Sequence, residues 1–342
     1  MTPIRLGGTA IAGVLVALLT ACGGGGSDPS ESVSTPATAA VNVPSTTRAP
    51  IGLVSAISSS LPAYAATGSP AADMTGWLNT VRQAMGVSTV AITAGLQQAA
   101  QNHSNYEVVN QLGGHTETRG TPDFTGATPD DRITAVYPSA NYTGEVTVYY
   151  SQATFTTQPT GVYAVQQLFD APFHRIGMLA DVSAMGAGYS TDYSASRSVT
   201  HSAFTIDFAN IANQLPANQF VVYPYAGQTG VPLSWVANES PNPFQDASNY
   251  IGATVGYPVT IQGAVGDRLT VSSFSIAAAS GASVSCLEVD PSSSSLGSEL
   301  FGAALCAPYQ VYAPNTQYTA TVSGTKNGRQ FTVQWSWTTG VQ

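Results

Sequence analysis

The sequence predicts an α+β protein with two folded parts, a layered helix-and-sheet part over 73–213 and an all-β sandwich over 219–342. Three observations carry this. Apolar residues recur first at helical and then at strand spacing between Asp73 and Asn213, the helical period disappears after Gln219, and turn signals follow at short intervals from there on. Composition agrees: of 342 residues 43% are hydrophobic, and 16 Tyr, 11 Phe and 4 Trp can fill more than one core. Only 10 Lys+Arg face 19 Asp+Glu, the net charge is −9, and Lys326 is the sole lysine. A nucleic-acid partner needs clustered positive charge, so that class is set aside.

Residues 1–22 place Arg5 ahead of an apolar run from Ile11 to Leu19 that stops at Thr20-Ala21-Cys22, too short to span a bilayer and suited to a signal-peptide core. Leu19-Thr20-Ala21-Cys22 resembles the lipobox of bacterial lipoproteins, which implies that Cys22 becomes the lipidated N-terminus. Gly23 rather than Asp after it implies an outer-membrane destination. An ordinary secretory leader with an incidental cysteine, releasing an extracellular protein, is the other reading. Residues 23–72 are Gly-, Ser-, Thr-, Ala- and Pro-rich and cannot bury enough surface to offset their ordering entropy, so they read as a flexible linker.

In the first folded part, Leu78, Val81 and Met85, then Leu96, Ala100 and His103, mark two amphipathic helices. Gly113-Gly114 ends the second. A turn-rich stretch follows, and Glu145 opens the alternating run Val146 to Tyr150. A third helix is expected near Gly161–Asp170, broken by Pro172, and its successor begins with His174. Thr200 to Phe208 alternates as a half-buried strand with Phe204, Ile206 and Phe208 on one side. In the second part, Asn327-Gly328 between two strand-like runs is a hairpin signal, because both residues tolerate positive φ. The pattern reads as an immunoglobulin-like sandwich, and its closing strands, ending in Trp335-Ser336-Trp337, resemble those of bacterial Ig-like modules. With Cys22 given to lipid, Cys286 and Cys306 are the only remaining thiols of an exported chain and are expected to pair, closing a loop of about 20 residues that contributes roughly 3 kcal/mol. Two buried free cysteines are the alternative.

All four histidines, His103, His115, His174 and His201, fall in the first folded part, which makes it the seat of function. No P-loop, H-E-x-x-H, G-x-S-x-G or CxxC pattern accompanies them. The ordered set Leu78-Asn79, Arg82, Gly86, Ala99-Ala100, His103-Ser104, Gly114-His115, Pro129, Asp131-Arg132, Gly144-Glu145, Pro172, His174-Arg175 and Gly186-Ala187-Gly188 resembles a bacterial member of the CAP superfamily, the group of cysteine-rich secretory proteins, antigen 5 and pathogenesis-related proteins. That resemblance implies an α-β-α sandwich with a solvent-facing cleft lined by two His and two acidic residues. By it, His115 and His174 are the two histidines and Glu145 the acid of the family's G-E-N motif, with Val146 in place of Asn. The second acid has no clear equivalent, and Glu117 or Asp170 is expected to fill it.

Two imidazoles and a carboxylate from separate loops suit a divalent cation such as Zn²⁺ with an open position, so His115, Glu145 and His174 form a candidate metal set. The same groups also suit a metal-free network. His103 and His201 read as structural, and Asp131-Arg132 and Arg175 as loop-fixing ion pairs. The expected function is a lipid-anchored envelope protein whose cleft binds a lipid, a protein partner or a metal without turnover. The alternative is a metal-dependent hydrolase with Glu117 or Asp170 as base.

Overall fold

A short strand is the first element among the described residues. The computed structural model describes residues 48–341 apart from 294, 295 and 301, so the leader, Cys22 and most of the expected linker lie outside the described residues. Strand β1 (Gly52–Leu53) pairs in parallel with residues 219–220, and the Ile57 and Ser58 N–H groups donate to the Ala84 carbonyl. The linker therefore does not run to 72: Ile51, Leu53, Val54, Leu61 and Tyr64 are half-buried against the core. Scattered apolar residues suffice here because they dock on elements that already fold around a larger core.

Helix α1 (Pro70–Ala84) starts three residues earlier than expected, with Pro70 in the first turn, where its missing N–H costs nothing. Its stripe Met74, Leu78 and Val81 is buried. After β2 (Ala91–Ile92), α2 (Ala94–Asn110) buries Leu96, Ala99, Ala100 and His103. Helix α3 (Pro129–Val136) is started by a capping box between Thr128 and Asp131. Strand β3 (Thr143–Ala153), α4 (Gly161–Asp170), α5 (Pro172–Met178), β4 (Val182–Thr191) and β5 (Val199–Ile211) complete this part, the sheet order being β2-β4-β5-β3.

Three layers follow from the period-2 alternation. Met185, Phe204, Ile206 and Phe208 join the core shared with α1, α4 and α5, while Ala184 and Ala209 pack with Leu96, Ala99 and Ile133 of α2 and α3. Strand β5 is thus buried on both faces, not on one as its alternation suggested. Gly186 and Gly188 face α2, and a Cβ on either would meet the α2 backbone, at Gln97 and at the Ala100–Gln101 peptide respectively.

The remaining chain is β apart from two single 3₁₀ turns among the described residues: β6 (Gln219–Tyr223), β7 (Ser234–Val236), β8 (Thr254–Gly256), β9 (Val259–Gln262), β10 (Leu269–Ala278), β11 (Ser283–Val284), β12 (Cys286–Val289), β13 (Ala303–Pro308), β14 (Gln317–Lys326) and β15 (Arg329–Thr338). Sheet β1-β6-β9-β13-β12 packs on sheet β11-β10-β14-β15 through contacts such as Phe220 with Phe331, 4.7 Å between ring centres. The β14–β15 turn holds Asn327 and Gly328 at φ 51° and 75°, the doubly left-handed hairpin its sequence calls for. Lys326 is buried: its ammonium donates to the Gln219 carbonyl (2.6 Å), pairs with Asp267 (3.0 Å) and sits over the Phe220 ring. Cys286 and Cys306 are bonded with Cα atoms 5.6 Å apart, but the bridge joins neighbouring strands β12 and β13 of one sheet, not one sheet to the other.

The two parts share a single core. Phe169 of α4 meets Tyr223 of β6 edge-on at 4.8 Å. Arg175 of α5, expected in an ion pair, instead donates to the carbonyls of Phe169, Asp170 and Pro258, with the Tyr223 and Tyr257 rings 4.7 and 4.8 Å from its guanidinium carbon. A buried guanidinium satisfied by carbonyls and ring faces acts as a rivet across the seam.

Candidate functional site

Four residues from four elements meet at one end of the mixed sheet. His115 lies in the loop after α2. It follows Gly114, whose φ of 125° is one only glycine adopts without strain, while the Gly114 N–H and carbonyl are both held by the protein, on Glu107 and His103. Glu145 is on β3, His174 on α5, and Glu239 follows β7. His115 Nδ1 is 2.9 Å from Glu145 Oε1, and His174 Nδ1 is 3.0 Å from Glu239 Oε2. Glu239 also accepts from the Phe173 N–H at 3.2 Å, one of the free donors at the start of α5. The two imidazoles stand 6.4 Å apart, centre to centre, across a cleft of about 360 Å³. An ionised carboxylate only accepts, so each Nδ1 carries a proton and each Nε2 is the ring nitrogen turned away from its carboxylate.

Glu145 is fixed from behind. Arg132 Nη2 reaches its Oε2 at 2.6 Å and the His115 carbonyl at 3.0 Å. Burial raises the Glu145 pKa, but the hydrogen bond from His115 and the charges of His103 and Arg132 overcome it and bring the group down to about 2. Glu239 has no such cation behind it; burial lifts its pKa against the opposing pull of His174.

Beneath the cleft lies a buried proton and charge network. Asp207 is the cross-strand neighbour of Glu145. Burial first, and Glu145 second, push its pKa well up, so Asp207 keeps its proton and shares it with Glu145; with neither carboxyl protonated, both Asp207 oxygens would lack a partner. Glu107 accepts from Thr147 and from the Gly114 N–H, yet burial drives it up to about 8. His103 is wholly buried between Glu117 Oε1 (3.0 Å) and the Gly114 carbonyl (2.9 Å), so both ring nitrogens are engaged. Arg132 and the His103 ring therefore face Glu145 and Glu117, while burial favours the protonated forms of Glu107 and Asp207.

A pH prediction follows from Glu107. Folded, it holds its proton to about pH 8, whereas the unfolded chain releases it near 4.5. Its contribution is thus complete below 4.5 and is lost as the pH rises through 8, the reverse of Glu145, whose contribution is lost as the pH falls from 4.5 toward 2. Glu107→Gln is expected to match the wild type at pH 4 and to exceed its stability by about 3 kcal/mol at pH 7, read from urea midpoints. Equal midpoint shifts at both pH values would refute the assignment.

Neither residue expected to supply the second acid is in the cleft. Glu117 is spent on His103 and on the N–H groups of Thr125 and Gly126, fixing the loop that follows His115. Asp170 lies at the seam, accepting from the Tyr257 hydroxyl at 2.6 Å, and burial raises its pKa. The acid that pairs with His174 is Glu239, from the part assigned to a separate sandwich. It is one of three glutamates after residue 219 and precedes the Pro241-Asn242-Pro243 turn, the only signal that marked it. The expected metal set His115, Glu145 and His174 is not assembled either: both Glu145 oxygens are engaged, and among the described residues no three His, Cys, Asp or Glu side chains are placed to hold a metal ion. His201 lies at the far end of the sheet, bonded to Asp192 and stacked on Tyr149.

Residues 76–208 match the family model described as CAP, the cysteine-rich secretory protein family. The chain matches no curated protein. Among solved structures it is similar, at 20% identity and a TM-score of 0.32, to an extracellular protein containing an SCP domain from Bacillus anthracis strain Ames. That similarity covers 41% of this chain and 40% of the other, so the chain spans about two fifths of that structure's length.

Proposed function

Residues 76–208 carry a CAP domain, and from that premise we propose that the chain is an extracytoplasmic binding protein that takes a small ligand between His115 and His174. The observation that carries this reading is the pairing of both rings: each Nδ1 is held by its own carboxylate, and the rings face each other across a cleft of about 360 Å³. That volume is within the usual range for an organic ligand. Holding a ring through Nδ1 fixes its orientation before the ligand arrives, which lowers the ordering cost of binding.

The β part belongs to the binding unit, since it supplies Glu239 and part of the rim, Ser240, Pro241 and Glu299. We read that part as an Ig-like module, and the N-terminus as anchored to the outer membrane through lipid on Cys22, which the mass of the mature N-terminal peptide tests. No helix among the described residues is long and apolar enough to cross a membrane.

The binding reading is tested by nuclear magnetic resonance on the full chain, screening small neutral, cationic and anionic fragments against the ring Cε1–H signals of His115 and His174. Fragments that bind are expected to move both signals together, and Glu239→Gln, which loosens His174, is expected to weaken them about threefold to tenfold. Binders that leave both rings unmoved, or that ignore Glu239→Gln, would place the site elsewhere.

A further inference from the structure

We infer that the ligand of this cleft is an organic cation, a primary ammonium carried on a short apolar arm; the inference rests on the binding reading above. The chemistry of the lining points there from three sides. The floor offers one uncommitted ring nitrogen from each histidine: Nδ1 of His115 and His174 is held by a carboxylate, and Nε2 of a neutral imidazole accepts from a donor such as N–H. The rim offers negative charge: Asp130 on α3 and Glu299 from the β part both line the cleft and are exposed.

No Lys or Arg is in the lining among the described residues. The nearest guanidinium, Arg132, is buried and consumed by Glu145 and the carbonyls of His115 and Gly126. Glu145 is neutralised by that contact, whereas Glu239 meets only His174 and the Phe173 N–H. A carboxylate or phosphate entering here would meet the like charge of Asp130 and Glu299, at a cost in desolvation that no Lys or Arg of the lining repays.

The walls supply the third argument. Tyr142, Phe173 and Phe208 with Val146 give an apolar surface for methylene groups, and aromatic faces attract a cation as well as an alkyl arm. The net charge of −9 adds a long-range pull on cations of the same sign as the local one.

The probes are hexylammonium, hexanol and hexanoate, equal in length and different only in the head group, each titrated into the full chain and read on the His115 and His174 ring signals. Hexylammonium is expected to bind at least about tenfold more tightly than hexanoate, with hexanol between. Asp130→Asn combined with Glu299→Gln is expected to weaken hexylammonium about fivefold to tenfold relative to hexanol, at an unchanged melting temperature. Hexanoate binding as tightly as hexylammonium, or a charge-neutral rim that binds hexylammonium as well as the wild type, would overturn the inference while leaving the cleft a ligand site. If none of the three moves either ring, the binding reading fails and the inference with it.

Discussion

Arg132→Met is expected to cost the fold about 3–5 kcal/mol at pH 7, because it removes one partner of a buried charge pair and leaves the other uncompensated. Arg132 is 2% exposed and sits between Glu145 at 2.6 Å and Glu117 at 3.5 Å. Without it, Glu145 keeps only the His115 hydrogen bond and the more distant His103 ring as partners, in a site where burial already opposes its charge. The variant should answer by protonating Glu145, so the penalty is expected to shrink by pH 4. Arg132→Lys keeps a charge but not the fork that also holds the His115 and Gly126 carbonyls, and should lie about midway. Urea unfolding at the two pH values decides the matter. A Met variant within about 1 kcal/mol of wild type at pH 7 would mean that Glu145 does not depend on Arg132 for its charge.

Gly188→Val, on the strand that faces α2, is expected to cost at least about 3 kcal/mol, since what it meets is backbone and cannot rotate away. Gly186→Val should do nearly as much against Gln97. The close approach that these glycines allow sets the height of α2 over the sheet, and α2 leads into the loop that carries His115. A second readout is therefore expected in any Gly188 variant that still folds: the ring signal of His115 should move while that of His174, held from the other side of the sheet, stays. Gly52→Ala is the control, because nothing lies within 4 Å of the added carbon. A Gly188 variant as stable as that control would show that the helix can lift freely.

What the sequence revealed and what it hid divide along the range of the interaction. Helical stripes such as Leu78, Val81 and Met85 and the Asn327-Gly328 hairpin are written in neighbours a few residues apart, and they were legible. His115, Glu145 and His174 came from a family resemblance, not from periodicity, which says nothing about which loops converge. Glu239 was missed because its contact with His174 spans 65 residues and crosses a boundary drawn where the helical period ended. The end of the linker was misplaced for a related reason. Residues 50–72 have the composition of a tether, and composition cannot report that five scattered apolar side chains find a finished core to lie against. Glu117 and Asp170 were reasonable acids by position along the chain, but each is turned inward by partners that only the folded backbone brings near.

The burial of Lys326 bears on how this protein can be handled and detected. Apart from the chain's N-terminus, it is the single amine in 342 residues, and its side chain is 1% exposed beneath the Gln219 carbonyl. Amine-directed labels, fixatives and cross-linkers therefore have almost nothing to react with while the sandwich is closed. Acylation at Lys326 becomes a chemical clock for opening of the β part, counting each excursion that frees β14 from β6 against a background of nearly zero.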